Sequence, residues 1–376
     1  MNFNTISIPS VIERYNQPLI NVSTSPEKKI QLYEAGVGYL IGELAFSQGV
    51  SPYRNINSSP ADLDYQLLAK AGLLIASGAK SGEIVLTTGF PYTTYELYRQ
   101  QAEDFFSLKD IMIEFNSDTF FNNEHKRVQF TVSHVEIMPE ILGCINAIRK
   151  GPIAETDNFF IVSLGYGTCE TGLSTENGMI GRTCMSIPGL RHAVNSMQTE
   201  LNRSYNMSMK NEHVINQNFQ AGRVVVNRKK QDLTGIRHNH LTSYYDEIIS
   251  PTLKKTFLDS DFEKTDKLYL VGGGALYPDL VEYFKNEFDG VLDVIIPPGA
   301  ADMASTGYFM RSLQWCGPEN VEKAVGLDIG NAYTVVTKSA GVAGPAPAVS
   351  APATAGGTSV TVSGAPANIN GKPATI

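Results

Sequence analysis

A chain of 376 residues with 42% hydrophobic content is too long for one small core and calls for two or three folding units of ordinary soluble composition. Its net charge of −8 argues against direct, non-specific nucleic-acid binding, which wants a basic face. No apolar run approaches the roughly 20 residues of a membrane span, the start Met1-Asn2-Phe3-Asn4-Thr5 lacks the features of a secretory signal, and Cys144, Cys169, Cys184 and Cys316 show neither C-x-x-C pairing nor metal spacing, so a reduced cytoplasm is expected.

In chain order, residues 6–12 read as a short strand that Pro9 confines to a sheet edge, and residues 39–45 carry the mixed pattern of another strand. Ser59-Pro60 signals a start, and Leu63, Leu67, Leu68, Ala71 and Leu74 at helical spacing predict a helix over 61–77. A buried-strand pattern at 83–88 ends at the Gly89-Phe90-Pro91 turn, and a helix follows over 94–106. Residues 128–137 form a strand that runs into Met138-Pro139-Glu140, with a helix over 141–150 and a strand over 158–164. Helices are predicted over 188–202 and 241–258. Between them, Arg228-Lys229-Lys230 reads as a solvated turn. His238-Asn239-His240 lacks a third ligand, and alternate residues converge only on a strand, so no metal site is expected there. A strand over 267–271, a helix over 277–288, a strand over 291–296 ending at Pro297-Pro298, and a helix over 304–315 complete an alternation that implies an α/β fold. Residues 339–376 are dominated by Ala, Gly, Pro, Ser, Thr and Val, with Lys372 as their only charge after Ser339. Such a composition cannot offset ordering entropy and is expected to form a disordered tail, within which residues 359–362 carry a strand pattern.

Three glycine-bearing segments stand out. Val325-Gly326-Leu327-Asp328-Ile329-Gly330-Asn331-Ala332-Tyr333-Thr334 is an apolar strand that ends in an acidic residue and a Gly-Asn turn, then reverses. An Asp at a strand end before a turn with free N–H groups suits a magnesium-bound phosphate; a plain hairpin has the same local look. Ile161-Val162-Ser163-Leu164-Gly165-Tyr166-Gly167-Thr168-Cys169-Glu170 and Leu270-Val271-Gly272-Gly273-Gly274-Ala275 are the other two, each readable alone as a tight turn.

Together the three resemble the phosphate-1, phosphate-2 and adenosine motifs of the actin, hexokinase and heat-shock chaperone superfamily, over roughly residues 1–338. In that superfamily the order is phosphate-1, phosphate-2, adenosine; here it is phosphate-2, adenosine, phosphate-1. The chain therefore resembles a circularly permuted actin-like protein, with the bacterial plasmid-partition actins as nearest branch. The resemblance implies a two-domain actin-like (ribonuclease H-like) α/β fold with a nucleotide cleft. Residues 1–158 would begin domain I, 159–299 would form domain II, and 300–338 would return to domain I with the phosphate-1 hairpin. A permuted order can still fold, because termini lie at the surface and often close together.

The resemblance also implies site residues. Gly330, Asn331 and Ala332 would present amides to the β- and γ-phosphates, and Asp328 would hold Mg2+ through water. Gly165, Tyr166, Gly167 and Thr168 would form the opposing clamp, where glycine lets backbone approach the phosphates. Gly272, Gly273 and Gly274 would pack against adenine and ribose; GTP stays open beside ATP. Glu140 matches the polar residue that positions the attacking water, although a first-turn glutamate is also favoured by the helix dipole. Two positions depart from the pattern. Val335 stands where a lysine is usual and Ser163 where an aspartate is usual, while Glu170 keeps the charge of a second aspartate. Nucleotide binding is thus expected, with slow ATP hydrolysis. The function implied is an ATP-binding filament protein that assembles with itself, with a DNA-binding adaptor as a possible partner for plasmid segregation. The alternatives are a non-catalytic nucleotide-gated scaffold and a small-molecule kinase of the same superfamily.

Overall fold

The computed structural model describes residues 2–17, 19, 25–108, 110–117, 125–204 and 210–340. The expected tail, apart from Ser339 and Ala340, and the strand pattern at 359–362 lie outside them. The chain opens with β1 (Phe3–Pro9), β2 (Ile12–Arg14), β3 (Gln31–Glu34) and β4 (Val37–Ile41), then α1 (Glu43–Gln48) and α2 (Leu63–Ser77). Next come β5 (Gly82–Phe90), α3 (Tyr92–Phe106), β6 (Ile111–Asn116), β7 (His125–Pro139) and α4 (Glu140–Lys150). β8 (Phe159–Leu164), β9 (Thr168–Thr175), β10 (Gly178–Met179), β11 (Met185–Pro188), α5 (Arg191–Ser204) and α6 (Glu212–Ala221) follow. After them run β12 (Arg223–Val226), β13 (Lys229–Asp232), α7 (Thr234–Tyr244), α8 (Ser250–Thr256) and α9 (Asp259–Phe262). The chain closes with β14 (Lys267–Val271), α10 (Pro278–Glu287), β15 (Asp293–Ile295), α11 (Met303–Cys316), β16 (Ala324–Ile329) and β17 (Tyr333–Ser339).

Among the described residues, nine strands form one sheet in the order β1-β17-β16-β5-β7-β6-β3-β4-β2. As the resemblance implies, the last two strands pair as an antiparallel hairpin; β16 runs parallel to β5, with Leu327 opposite Thr88. The first strand lies on the other side of this hairpin, with Phe3 opposite Ser339 and Pro9 opposite Tyr333. Both ends of the described chain thus sit in neighbouring strands of one sheet. A second sheet runs β10-β9-β8-β14-β15, with β11 also on β9. In β8 every residue is buried. Phe160, Val162 and Leu164 enter the core under α5, α6 and α10, while Phe159 and Ile161 enter a core shared with α4 and α11. A strand covered on both faces needs such a near-continuous apolar run, interrupted here only by Ser163. The helices α4 and α11 join the two sheets at a glycine crossing, where a Cβ on Gly307 would sit 1.7 Å from the carbonyl oxygen of Gly143.

Several expectations change. The strand expected over 6–12 divides at Ser10-Val11 into β1 and β2, which occupy opposite edges of the large sheet. The strand expected over 39–45 stops at Ile41, because Gly42 takes φ 65° and turns the chain into α1. The helix expected from 241 begins at Thr234, so His238 and His240 lie on α7; they face Asp279 and Glu200 separately. Arg228 occupies a two-residue hairpin turn with Asn227, at φ 65° and 49°, and Lys229 and Lys230 are exposed in β13. No described helix is long and apolar enough to cross a membrane.

Candidate functional site

A cavity of about 720 Å³ opens between the two sheets. Its first wall is the β16–β17 hairpin. Asp328 stands next to last in β16, and Gly330, Asn331 and Ala332 form the turn that lines the cavity. The turn is braced from behind. Arg54 donates from one terminal nitrogen to the Gly330 carbonyl at 2.8 Å and from the other to the Ile329 carbonyl at 3.1 Å. With those carbonyls occupied, the polar face left to the turn is its amide face. Arg54 is itself fixed by its surroundings. Asp64 accepts from the Asn55 amide at 2.8 Å and from the Ser58 hydroxyl at 2.6 Å, shaping the segment that carries the arginine.

The second wall is backbone. Gly165, Tyr166, Gly167 and Thr168 connect β8 to β9 and line the cavity. Three successive amides at the start of α5, from Gly189, Leu190 and Arg191, donate to the carbonyls of Gly167, Gly165 and Tyr166 at 3.0, 3.1 and 2.9 Å. The loop is pulled tight by its carbonyls, which again leaves amides as its free groups. Gly167 meets the hairpin: a Cβ there would lie 2.2 Å from Asn331 Nδ2. Gly272 takes φ 83° at the end of β14, where a Cβ would lie 2.7 Å from the Leu164 carbonyl. Gly272 and Gly273 line the cavity; Gly274 does not, and faces the Leu164 side chain instead. Asn216, Gln220, Arg237 and Tyr277 complete this end, with the Arg237 guanidinium 5.6 Å from the Tyr277 ring centroid.

Burial dominates the electrostatics. It pushes the carboxyl of Asp328 up to about 7, against the pull of Arg54, with Asp302 adding to the rise. Glu140, the first residue of α4, is raised well above the usual carboxylate range by burial, with Asp328 and Glu170 adding to it. Glu170 is raised to about 7 by burial, although its oxygens accept from the amides of Tyr92 at 2.5 Å and Ile141 at 3.1 Å, at the starts of α3 and α4. Glu170 therefore ties two helix starts to the second sheet and does not line the cavity. Ser163 is buried in the cavity wall, 4.0 Å from the Cys144 sulfur. Carboxylates packed this closely want a cation or protons.

A nucleotide fits this chemistry. Two amide-faced turns oppose one another across a roomy cavity, glycines stand where a Cβ would collide, and the buried Arg54 Nε has no hydrogen-bond partner. No group of three His, Cys, Asp or Glu side chains suited to a metal occurs among the described residues. A magnesium ion would therefore need phosphate and water ligands besides Asp328.

All the expected site residues except Gly274 line one cavity. The sequence reading missed Arg54, Gln220, Arg237 and Tyr333. Gln220 accepts from the Tyr333 hydroxyl at 2.7 Å across the cleft. One signal for Arg54 was available: it is the only charged residue between Glu43 and Asp62.

Comparison with known proteins agrees with this architecture. Residues 2–143 match the family model described as "Actin like proteins N terminal domain". No curated protein matches the chain. Among solved structures, a 15-stranded ParM filament from Clostridium botulinum matches with TM-score 0.66 and 16% identity, over 82% of this chain and 92% of that one. An archaeal actin homolog, Ta0583, in complex with ADP matches with TM-score 0.63 and 14% identity over the same shares. The pCBH ParM non-polymerisable quadruple mutant matches with TM-score 0.65 and 16% identity, again over 82% and 92%. The fold is the two-domain actin-like fold.

Proposed function

We propose that this actin-like chain binds an adenine nucleotide with magnesium in its cleft and assembles with itself into filaments. The observation that carries the reading is the meeting of the Gly330–Ala332 turn and the Gly165–Thr168 loop across one cavity, with Asp328 and Glu140 in its lining. The hairpin amides and the loop amides would hold the phosphates, Asp328 would orient a magnesium-bound water, and Gly272 with Gly273 would lie flat beneath the base. The bound magnesium nucleotide supplies a phosphoanhydride to be hydrolysed. Glu140 would orient water toward it, slowly, because Ser163 adds no charge to the second wall. Closure of the two halves on a nucleotide would couple occupancy to polymer contacts. Self-assembly draws support from the ParM filament among the structural relatives. A role in DNA segregation would then need an adaptor, since the net charge of −8 does not suit DNA.

We also infer that the chain order is a circular permutation of the actin-like order. Its support is that the final hairpin, β16–β17, stands between the first strand and β5 in the large sheet. Sedimentation and electron microscopy of purified protein with and without MgATP test the main reading. ATP-dependent filaments and slow phosphate release are expected. Nucleotide binding without any assembly would favour the scaffold reading, and absence of nucleotide binding would sink both.

A further inference from the structure

Arg54 is an unusual residue to find in this place. It sits in the irregular stretch between α1 and α2, with no charged neighbour in sequence from Ser47 to Ala61. The residue is 7% exposed and lines the cavity. Burial lowers its guanidinium to about 10, so it stays charged at neutral pH, and Asp64, Tyr65 and Asp328 help to keep it so. The two terminal nitrogens hold the carbonyls of the Gly330 turn, and Nε, also buried, has no partner. Its backbone reaches the other way. The Arg54 amide lies 3.0 Å from His213 Nε2, and the Arg54 carbonyl lies 3.0 Å from the same nitrogen, so either tautomer of His213 makes a bond. His213 is on α6, which packs in the core of the second half. One residue thus grips the hairpin turn with its side chain and the opposite half with its backbone.

Charge balance shows why this matters. The cavity lining contains Asp328, Glu140 and Asp302, and of its two arginines Arg237 is engaged with Tyr277 and the carbonyls of Phe219 and Gln220. A polyphosphate brings several more negative charges to the hairpin turn. Hard repulsion in a cavity of low dielectric would follow unless a fixed cation stood there. Arg54 is that cation by position: it lies directly behind the turn whose amides face the cavity.

We propose that Arg54 is the positioning residue that makes the cleft selective for polyphosphate: it fixes the turn's amides and supplies the fixed positive charge behind them. The inference rests on the nucleotide-binding reading above. It predicts a dependence on phosphate number that a purely structural arginine would not show.

Calorimetry with MgATP, MgADP and adenosine on wild type and Arg54→Met tests it. Affinity for MgATP should fall about tenfold to a hundredfold in the variant, the range of one charge-assisted interaction, and MgADP should fall less. Adenosine should change by under about threefold on the same grounds, because it carries no charge for Arg54 to meet. A second variant probes charge apart from contacts. Val335 lies opposite Asp328 in the hairpin and lines the cavity, so a lysine there would bring an ammonium into the cavity beside Asp328. Val335→Lys in the Arg54→Met background should recover most of the MgATP affinity. Equal losses for MgATP and adenosine, or no loss for either, would overturn the proposal. Should Arg54→Met fail to fold, Val335→Lys alone decides. A gain under about threefold fits a turn that already has its cation, and a gain of tenfold or more means that the cation was missing. Wild type that binds no nucleotide would instead refute the reading of the cleft, and this inference with it.

Discussion

On the hairpin side of the cavity, Arg54, Glu140, Asp302 and Asp328 bring charged side chains to the lining, whereas the facing loops at 165–168 and 272–273 bring none. The two sides oppose the same space by different means. The hairpin side works through ionisable groups whose protons respond to burial and to one another. The loop side works through backbone shape, set by α5 amides that bind its carbonyls and by glycines with no room for a Cβ. The difference teaches where each kind of change should be felt. Substitution of a charge should alter chemistry, affinity and pH response with the fold intact, and substitution of a glycine should alter geometry with the pH response intact.

The largest expected effect falls on the charged side. Glu140→Gln should slow phosphate release by about 10²–10⁴-fold, the range for a general base, while MgATP affinity stays within a few-fold. Single-turnover assays beside equilibrium titration separate the two; a variant that hydrolyses at the wild-type rate would place the water-orienting group elsewhere. Gly272→Ala comes next, on the loop side. Its φ of 83° and the Leu164 backbone within 2.7–2.8 Å leave no relaxed position for a methyl group. The loss should be roughly 2–4 kcal/mol of stability, read by urea denaturation. An unaffected midpoint would show that the β14 turn yields more easily than its contacts suggest.

Asp328→Asn should weaken binding of the magnesium nucleotide by about tenfold to a hundredfold, the usual cost of losing an outer-shell partner of a metal. It should also remove a pH slope. In the ligand-free protein, burial raises Asp328 and Glu170 to about 7, above the unfolded value. The folded state therefore holds more protons than the unfolded state between about pH 4 and 7. Stability of the ligand-free protein should fall as pH rises through that window. Affinity for the magnesium nucleotide should rise over the same range, as Asp328 ionises. Denaturation midpoints at pH 5, 6, 7 and 8 check the sign, and in Asp328→Asn the slope should shrink to the Glu140 and Glu170 parts.

The smallest effect is expected at Gly167→Ala. The atom in the way is Asn331 Nδ2, the end of a side chain, and it can move aside. Stability should change by less than about 1 kcal/mol. Because the contact crosses the cleft, MgATP affinity should still drop a few-fold; a loss as large as that of Gly272→Ala would mean that the hairpin turn cannot shift at all.

How much of this was legible in the sequence depended on whether the signal was local. The β8, β14 and β16 strands announce themselves as mainly apolar segments, and a glycine turn follows each directly, so their roles as strand ends could be read in order. The start of α7 could not, because Thr234-Gly235-Ile236-Arg237-His238-Asn239-His240 shows no apolar stripe of its own. Nor could the end of β4, since the pattern of Tyr39–Ile41 continues through Gly42 into Leu44 and only the backbone at Gly42 breaks it. Strands β3 and β6 went unread; they complete the large sheet between β7 and β4, where neighbours more than local pattern set the pairing.

By itself the sequence determined the alternation of strands and helices, the glycine turns and the acidic residue before the last of them, because periodicity and backbone freedom are properties of short segments. The cyclic order of the three motifs, through the family they resemble, also placed the last strands as a hairpin in the main sheet. Only the tertiary structure decided which charges meet. Arg54 lies 274 positions before Asp328 and 159 before His213 in the chain, and nothing in the residues around it announces a partner. Electrostatic partnership acts through space at a few ångströms and leaves no period in the sequence. The fold alone could carry an isolated arginine from an irregular segment to the back of a turn built at the far end of the chain.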